Sequence, residues 1–264
     1  MAVNDLRFAA NLSMLYQDLP FAERFAAAAR DGFAGVEYVS PYDIDPRAIA
    51  DLLADSRTTQ ALFNLPSGDW VAGERGIGAL PDRVEEFTAG VDQAILYATA
   101  LDCRRVNCLA GRAPAGVEPR ELDRVLIRNL RYAAEKLADS GIRLLLEAVN
   151  TRDVPGYAVP RIDHAERILD AVGSDNLFLQ FDVYHVQVMQ GDIITTLRRV
   201  IDRVAHIQVA DNPGRHEPGT GEIDYDFVFS EISELGYTGW IGAEYIPSDP
   251  AGPTWLTSHL GVPA

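Results

Sequence analysis

Residues 143–182, RLLLEAVNTRDVPGYAVPRIDHAERILDAVGSDNLFLQFD, are the stretch of sequence that decides the fold. Two short apolar runs in it, Arg143–Ala148 and Leu177–Asp182, are typical of buried strands, and each carries an acidic residue near its end. Between them, Arg161–Val172 has the amphipathic pattern of a helix. A strand, a helix and a second strand in a stretch of this length predict a βαβ unit, which needs about 30 residues or more.

The same alternation of short apolar runs and amphipathic stretches continues in both directions along the chain. The other predicted strands are Arg7–Asn11, Gly35–Tyr38, Gln60–Asn64, Arg105–Leu109, Ala205–Val209 and Trp240–Glu244. The other predicted helices are Phe21–Asp31, Pro46–Ser56, Asp82–Leu101, Pro119–Ser140, a helical pattern that ends near Asp202, and Asp226–Leu235, before a proline-rich tail. Eight strands alternating with helices, without a linker, predict a single domain over residues 1–264, an α/β fold of the (β/α)8 TIM-barrel type. A doubly wound sheet is the competing fold, but NLSMLYQDLP after the first strand lacks the GxGxxG turn.

The composition restricts the classes of function. Hydrophobic residues make up 47% of the chain, which excludes a disordered protein. The net charge of −16 argues against nucleic acid and against an anionic membrane surface as partners. We find no signal peptide and no uninterrupted apolar run of about 18 residues. We therefore expect a soluble, cytoplasmic protein in which Cys103 and Cys108 are reduced thiols of the core.

A barrel of this type places its active site where the strands end. The polar residues at the ends of the predicted strands are Asn11, Glu37, Asn64, Asn107, Glu147, Asp182, Gln208 and Glu244. The last four lie 26 to 36 residues apart, about one βα unit each, so they come from consecutive strands. We expect these four side chains to converge on one quadrant of the barrel mouth.

Three carboxylates and an amide oxygen held together repel one another unless a cation lies between them. Oxygen ligands favour a hard divalent ion, so Glu147, Asp182, Gln208 and Glu244 predict a metal site, with Mg²⁺ preferred and Mn²⁺ as the alternative. A single acidic residue at a strand end can instead cap the next helix, and Asp182 is open to that interpretation. Capping does not explain four such residues on successive strands.

Three other side chains are candidates for substrate contact. His185 follows Asp182 by three residues and is expected above the metal. Arg215 lies in the loop after the seventh strand, where an anionic substrate of this acidic protein would need an arginine. Trp70 lies in the glycine-rich loop 65–81, LPSGDWVAGERGIGALP. We predict that Trp70 folds over the mouth as part of a lid, and packing against a neighbouring subunit or loop is the alternative.

Several segments together resemble the hydroxypyruvate isomerase family, within the xylose-isomerase-like TIM-barrel superfamily. They are FAANLSML, PFAERFAAAARDGFAGVEY, LFNLPSGDW, LLLEAVN, FDVYHVQ, HIQVADNPGRHEPGTGEIDY and GAEY. The resemblance covers almost the whole chain. It implies metal ligation by Glu147, Asp182, Gln208 and Glu244, and proton transfer by the first and last of them. Related sugar epimerases commonly have a histidine where this chain and its branch have Gln208.

The resemblance also implies a reaction. A bound divalent metal would hold the carbonyl and hydroxyl oxygens of hydroxypyruvate while one glutamate removes a proton, and the enediolate would become tartronate semialdehyde. His185 and Arg215 match positions that contact substrate in related epimerases, and Arg215 would hold the substrate carboxylate. The expected partner is a small 2-keto acid or sugar acid, without nicotinamide, flavin, nucleic acid or membrane. Assembly into a homo-oligomer is left open.

Four other functions compete with this one. A 2-oxo-tetronate isomerase would use the same residues, and the sequence does not separate the two activities. A ketose 3-epimerase would share the metal and the glutamates, although Gln208 argues mildly against it. A DNA-repair endonuclease of the same barrel type would use several zinc ions and more than the five histidines present. A non-catalytic binding protein would not need the intact cluster of oxygen ligands.

Overall fold

The structure, a computed structural model, describes residues 6–248 and 252–259. Eight parallel strands follow one another around a closed barrel in chain order, and the last strand pairs with the first. The strands are β1 (Arg7–Asn11), β2 (Gly35–Tyr38), β3 (Thr59–Asn64), β4 (Arg105–Cys108), β5 (Arg143–Glu147), β6 (Leu177–Asp182), β7 (Val204–Val209) and β8 (Trp240–Ala243). This topology confirms the predicted (β/α)8 barrel.

Helices connect the strands on the outside of the barrel. They are α1 (Phe21–Arg30), α2 (Pro46–Ser56), α3 (Val84–Ala100), α4 (Pro119–Ala138), α5 (Ile162–Val172), α6 (Val183–Met189), α7 (Ile193–Val200), α8 (Tyr225–Glu234) and α9 (Thr254–His259). The predicted bounds agree with these to within two residues for most elements. Two segments differ more, one after β6 and one in the proline-rich tail.

The segment after β6 is two helices instead of one continuous helical pattern. Gly191 and Asp192, between α6 and α7, have φ angles of +63° and +50°. A right-handed helix does not continue through two left-handed residues, so the chain turns there. The short α6 therefore stays close to the end of β6 and holds His185 beside it.

The proline-rich tail contains α9, which the sequence pattern did not predict. Six residues are too few to display a helical period. Trp255 on this helix packs against the ring of Phe229 at 6.0 Å and against Phe8 at 5.5 Å between ring centroids. Aromatic burial against β1 and α8 therefore holds the helix in place.

The main apolar core lies between the strands and the surrounding helices. Strand β6 is buried at five of its six positions, as is typical of a parallel strand covered on both faces. Cys103 and Cys108 are free, buried thiols, as expected. The interior near the carboxyl ends of the strands is polar instead, and Glu37, His206 and Gln208 are buried there. In barrels of this type the active site lies at the carboxyl ends of the strands, so these buried polar groups mark where a functional site is expected.

Candidate active site

A cavity of about 350 Å³ opens at the carboxyl ends of the strands. Its wall includes side chains from strand ends and from the loops that follow them. Among the lining residues are Asn11, Glu37, Trp70, Arg75, Glu147, Asp153, Tyr157, Gln180, His185, Gln208, Arg215 and Glu244. Of the residues predicted for the site, Asp182 is not in the cavity wall, but it belongs to the carboxylate cluster beside it.

Four side chains converge at one side of this cavity. Glu147 closes β5, Asp182 closes β6, His185 lies on α6, and Glu244 follows β8 directly. One ligand atom from each lies within 4.8 Å of those of the others. Three are buried and Glu244 is half-buried. The structure thus brings together the three predicted carboxylates, with His185 among them.

The two carboxylate oxygens of Asp182 have different surroundings. Its Oδ1 accepts hydrogen bonds from the backbone N–H groups of Tyr184 at 2.8 Å and His185 at 3.3 Å, so it caps α6. Its Oδ2 is buried and has no hydrogen-bond partner among the described residues. Capping and a place in the carboxylate cluster are therefore compatible, because they use different oxygens.

The cluster carries more negative charge than its surroundings compensate. Burial, and then the charges of Glu244 and Asp182, raise the pKa of Glu147 well above its usual range. Burial raises the pKa of Glu244 to about 8, with Asp182 and Glu37 adding to the shift against the opposing charge of Arg215. Both glutamates therefore hold a proton more tightly than exposed glutamates do.

Arg215 supplies part of the compensating charge. Its Nη2 donates to Glu244 Oε2 at 2.5 Å and lies 3.7 Å from Asp182 Oδ2. Burial disfavours the charged guanidinium, but the carboxylates of Glu244, Asp182 and Glu147 outweigh this and raise the pKa of Arg215. The predicted contact of Arg215 with a substrate carboxylate stays a prediction, because in this structure the side chain is engaged with the cluster.

The residues of the cluster fit a divalent cation. Three carboxylates, two of them buried and one half-buried, share one small volume. Two of the three have raised pKa values, and one oxygen of Asp182 has no hydrogen-bond partner among the described residues. Oxygen donors of this kind suit Mg²⁺ or Mn²⁺. A cation placed among them would offset the repulsion that now favours protonation.

His185 is neutral and presents an N–H group to the cluster. The Nδ2 group of Asn150 lies 2.7 Å from His185 Nδ1, and Asn150 Oδ1 accepts from the backbone N–H of Asp153. His185 Nδ1 is therefore the acceptor, and Nε2 carries the proton. Nε2 lies 3.5 Å from Asp182 Oδ2 and 3.7 Å from Glu147 Oε1. Burial lowers the pKa of His185 to about 4, so the ring is uncharged at neutral pH.

Gln208 lies beside the cluster in a network of buried polar side chains. Its Nε2 donates to Glu37 Oε1 at 2.8 Å, and its Oε1 accepts from Gln180 Nε2 at 2.5 Å. Glu37 also accepts from Asn11 at 3.0 Å and binds His206 Nε2 at 2.6 Å. The predicted ligand role of Gln208 stays a prediction. Glu37 was noticed in the sequence only as a strand-end residue, and nothing there pointed to its central place in this network.

Trp70 lines the cavity, and the residue is 40% exposed. The guanidinium of Arg75 stacks on the ring, 4.0 Å from its centroid. The tryptophan thus has the partner that an exposed indole needs, and that partner comes from its own loop. Its function as a lid or as a contact with a second subunit stays a prediction. Sequence reasoning did not select Arg75.

The family model that matches the chain describes a xylose isomerase-like TIM barrel and covers residues 25–259. A hydroxypyruvate isomerase of Escherichia coli is 46% identical over 96% of this chain and 99% of that protein. A 2-oxo-tetronate isomerase of Cupriavidus necator is 44% identical over 97% of this chain and 99% of that protein. A crystal structure from Brucella melitensis, described as an AP endonuclease of family 2, has a TM-score of 0.93 and 43% identity, and it covers 96% of this chain and 98% of that one.

The barrel and its carboxylate cluster define an enzyme of the TIM-barrel class. The chain belongs to the xylose isomerase-like TIM barrel family. The predicted enzyme class, an isomerase of the aldose–ketose type, is confirmed by the named relatives. Over residues 6–248 and 252–259, no helix combines the length and the apolar character that crossing a membrane requires.

Proposed function

We propose that the protein is a metal-dependent isomerase that interconverts hydroxypyruvate and tartronate semialdehyde, also called 2-hydroxy-3-oxopropanoate. The observation that carries the proposal is the cluster of Glu147, Asp182 and Glu244 beside a cavity of small-molecule size. The Escherichia coli relative named hydroxypyruvate isomerase supports the choice of substrate. The reaction moves one proton from C3 to C2 and one from the C3 hydroxyl to the C2 oxygen, so it needs no redox cofactor.

Glu147, Asp182 and Glu244 would hold the divalent ion, Mg²⁺ by preference, and Gln208 is the fourth ligand that we propose. When bound, the ion would stabilise the negative charge that develops on the two ketol oxygens during proton transfer. Gln208 Nε2 donates to Glu37, and Gln208 Oε1 accepts from Gln180 Nε2. These two hydrogen bonds hold the amide group of Gln208 in one orientation beside the cluster.

Proton transfer is assigned to Glu147 and Glu244. One of them removes the proton from C3, and the other delivers a proton to C2. General acid–base catalysis of this kind contributes about 10²–10⁴-fold to the rate. Asn11 Nδ2 donates to Glu244 Oε1 at 3.0 Å, and Asn107 Nδ2 donates to Glu147 Oε2 at 3.2 Å, so each glutamate is oriented by an asparagine.

His185 and Arg215 are assigned to binding. The Nε2–H group of His185 is the neutral donor that faces the cluster, and it suits a substrate oxygen. Arg215 orients Glu244 through their ion pair and brings a positive charge to the cavity. Trp70 is assigned to covering the cavity during turnover.

The isomerisation of 2-oxo-tetronates is the second candidate function. The Cupriavidus necator relative with that name is almost as similar as the hydroxypyruvate isomerase. The two substrates share the ketol and the carboxylate, so the same cluster would act on both. The endonuclease description belongs to the Brucella protein. For this chain a nucleic-acid substrate is disfavoured by the net charge of −16 and by the small volume of the cavity.

A substrate panel tests the proposal. Purified protein is assayed on hydroxypyruvate, 2-oxo-tetronates and ketohexoses, each with Mg²⁺ and with a chelator. The proposal expects turnover of hydroxypyruvate that the chelator abolishes and Mg²⁺ restores. Faster turnover of a 2-oxo-tetronate would favour the second candidate. Turnover of ketohexoses alone, or of hydroxypyruvate in the presence of chelator at the full rate, would reject the proposed function.

A further inference from the structure

Arg75 is a cation in the cavity wall, and it has no acidic partner in the part of the chain that the structure describes. Its side chain lines the same cavity as the carboxylate cluster. Nη1 donates to the backbone oxygens of Glu74 at 2.7 Å and Trp70 at 3.1 Å. Within residues 6–248 and 252–259, Nε and Nη2 make no hydrogen bond, and no carboxylate lies within ion-pair distance of the guanidinium. One donating edge of Arg75 is therefore available to a ligand.

The loop that carries Arg75 is held against the barrel. Gly76 has a φ angle of +107°, and a Cβ atom there would lie 2.2 Å from the backbone oxygen of Leu109. Gly76 also pairs with Ala110, just beyond β4, in an isolated bridge. A side chain at this position would push the loop away, so glycine is required for the close approach. The position of Arg75 at the mouth is thus fixed by its immediate neighbour.

Glu74, the acidic residue next to Arg75, holds the rest of the loop in place. Glu74 accepts from Arg83 Nη1 at 2.6 Å and from the backbone N–H of Asp69 at 2.6 Å. Glu74 therefore pairs with Arg83, and Arg75 stacks on Trp70. The loop provides a preorganised guanidinium with a ring behind it.

The surroundings of Arg75 favour an anion. Burial, and then the charge of Arg112, lower the pKa of Arg75, although an arginine stays protonated at neutral pH. Among the described residues neither Arg75 nor Arg112 forms an ion pair, although the chain has a net charge of −16. Arg215, the other arginine of the cavity, already pairs with Glu244.

We propose that Arg75, supported by Trp70, binds the carboxylate of the substrate and determines the preference for 2-keto acids over neutral ketoses. This inference rests on the proposed function. It assigns Arg75 as the binding partner for the end of the substrate that lies away from the carboxylate cluster. A ketol held at the cluster presents its carboxylate to a cation elsewhere in the cavity wall. A neutral ketose has no group that gains from the same contact.

The test compares ligands that differ in the carboxylate, and it does not depend on turnover. Binding of D-glycerate and of dihydroxyacetone is measured by calorimetry, with Mg²⁺ present, for the wild type, Arg75→Gln and Arg75→Lys. Arg128→Gln, which removes an exposed arginine of α4, is the matched control for net charge. Arg75→Gln should weaken the binding of D-glycerate about 10- to 100-fold, the loss expected for a hydrogen bond to a charged group. Dihydroxyacetone should change by less than about 3-fold, since it offers no carboxylate to lose.

Arg75→Lys should give an intermediate loss for D-glycerate, because it keeps the charge but not the planar fork. Arg128→Gln should bind both ligands as the wild type does. If Arg75→Gln weakens the binding of both ligands equally, or of neither, the inference is overturned. Thermal unfolding shows whether the variant is folded. A wild type that binds D-glycerate through Arg75 but does not isomerise hydroxypyruvate would refute the proposed function and leave the carboxylate contact standing.

Discussion

Glu147→Gln separates the chemistry of the site from the folding of the barrel. Glu147 is buried, with 5% of the residue exposed, and its Oε2 accepts the hydrogen bond from Asn107 at 3.2 Å. Glutamine has nearly the same volume, and its amide oxygen can accept that bond, so the substitution leaves no cavity and keeps the contact with Asn107. The change removes one negative charge and one proton acceptor.

The substitution should affect activity and stability in opposite directions. Loss of the proton acceptor should lower kcat by at least about 100-fold. Burial and the charges of Glu244 and Asp182 raise the pKa of Glu147, so its ionised form destabilises the protein when no metal is bound. The metal-free variant should therefore unfold at the same temperature as the metal-free wild type, or at a higher one.

Three measurements on the same preparations check this. They are kcat for hydroxypyruvate at saturating Mg²⁺, metal content by mass spectrometry, and the unfolding temperature in chelator. Glu85→Gln, an exposed residue in the first turn of α3, is the matched control. Near-normal turnover of Glu147→Gln with metal bound would refute the two-glutamate mechanism at that residue. A clearly lower unfolding temperature in chelator would refute the account of repulsion in the cluster.

Three other predictions follow from the same site. Because the folded-state pKa of Glu244 is raised from 4.5 to about 8, the metal-free protein should lose stability as the pH rises from about 4.5 to about 8. Thermal unfolding across that range should show this loss, and saturating Mg²⁺ should suppress it. Gln208→Glu adds a carboxylate, so it should keep the metal at least as well and raise KM for an anionic substrate, which metal content and kinetics will show. Trp70→Ala should change KM or kcat if the loop is a lid, or unfolding and assembly if Trp70 packs on a subunit. Unchanged kinetics and stability would contradict both alternatives.

The barrel and its carboxylates were predictable from local patterns. Apolar runs of four to six residues define the strands, and parallel topology sends the ends of all strands to one mouth. That is enough to bring Glu147, Asp182 and Glu244 together, although they are far apart in the chain. Whether Asp182 caps a helix or belongs to the carboxylate cluster could not be decided from the sequence, because the two places use different oxygens of one side chain.

What the sequence did not predict depends on contacts across the barrel. Glu37 binds His206, which is 169 residues away, and no local pattern marks that pair. The donating edge of Arg75 is available because Glu74 pairs with Arg83, and no local pattern marks that ion pair. Helix α9 owes its position to Trp255 packing on β1 and α8. In each case the signal is a tertiary contact, which a one-dimensional pattern does not carry.

The most direct test of the central claim is to follow the conversion of hydroxypyruvate in D₂O by proton NMR, with Mg²⁺ present. Proton transfer through Glu147 and Glu244 exchanges the migrating hydrogen with solvent, so the first product formed should carry deuterium at C2. An enzyme-free sample corrects for background exchange, and Glu147→Gln should lose the signal. Product that keeps protium at C2 from the start would show that the hydrogen lost from C3 is the one that reaches C2, by a direct shift or through one shielded base. That result would contradict proton transfer by the two glutamates.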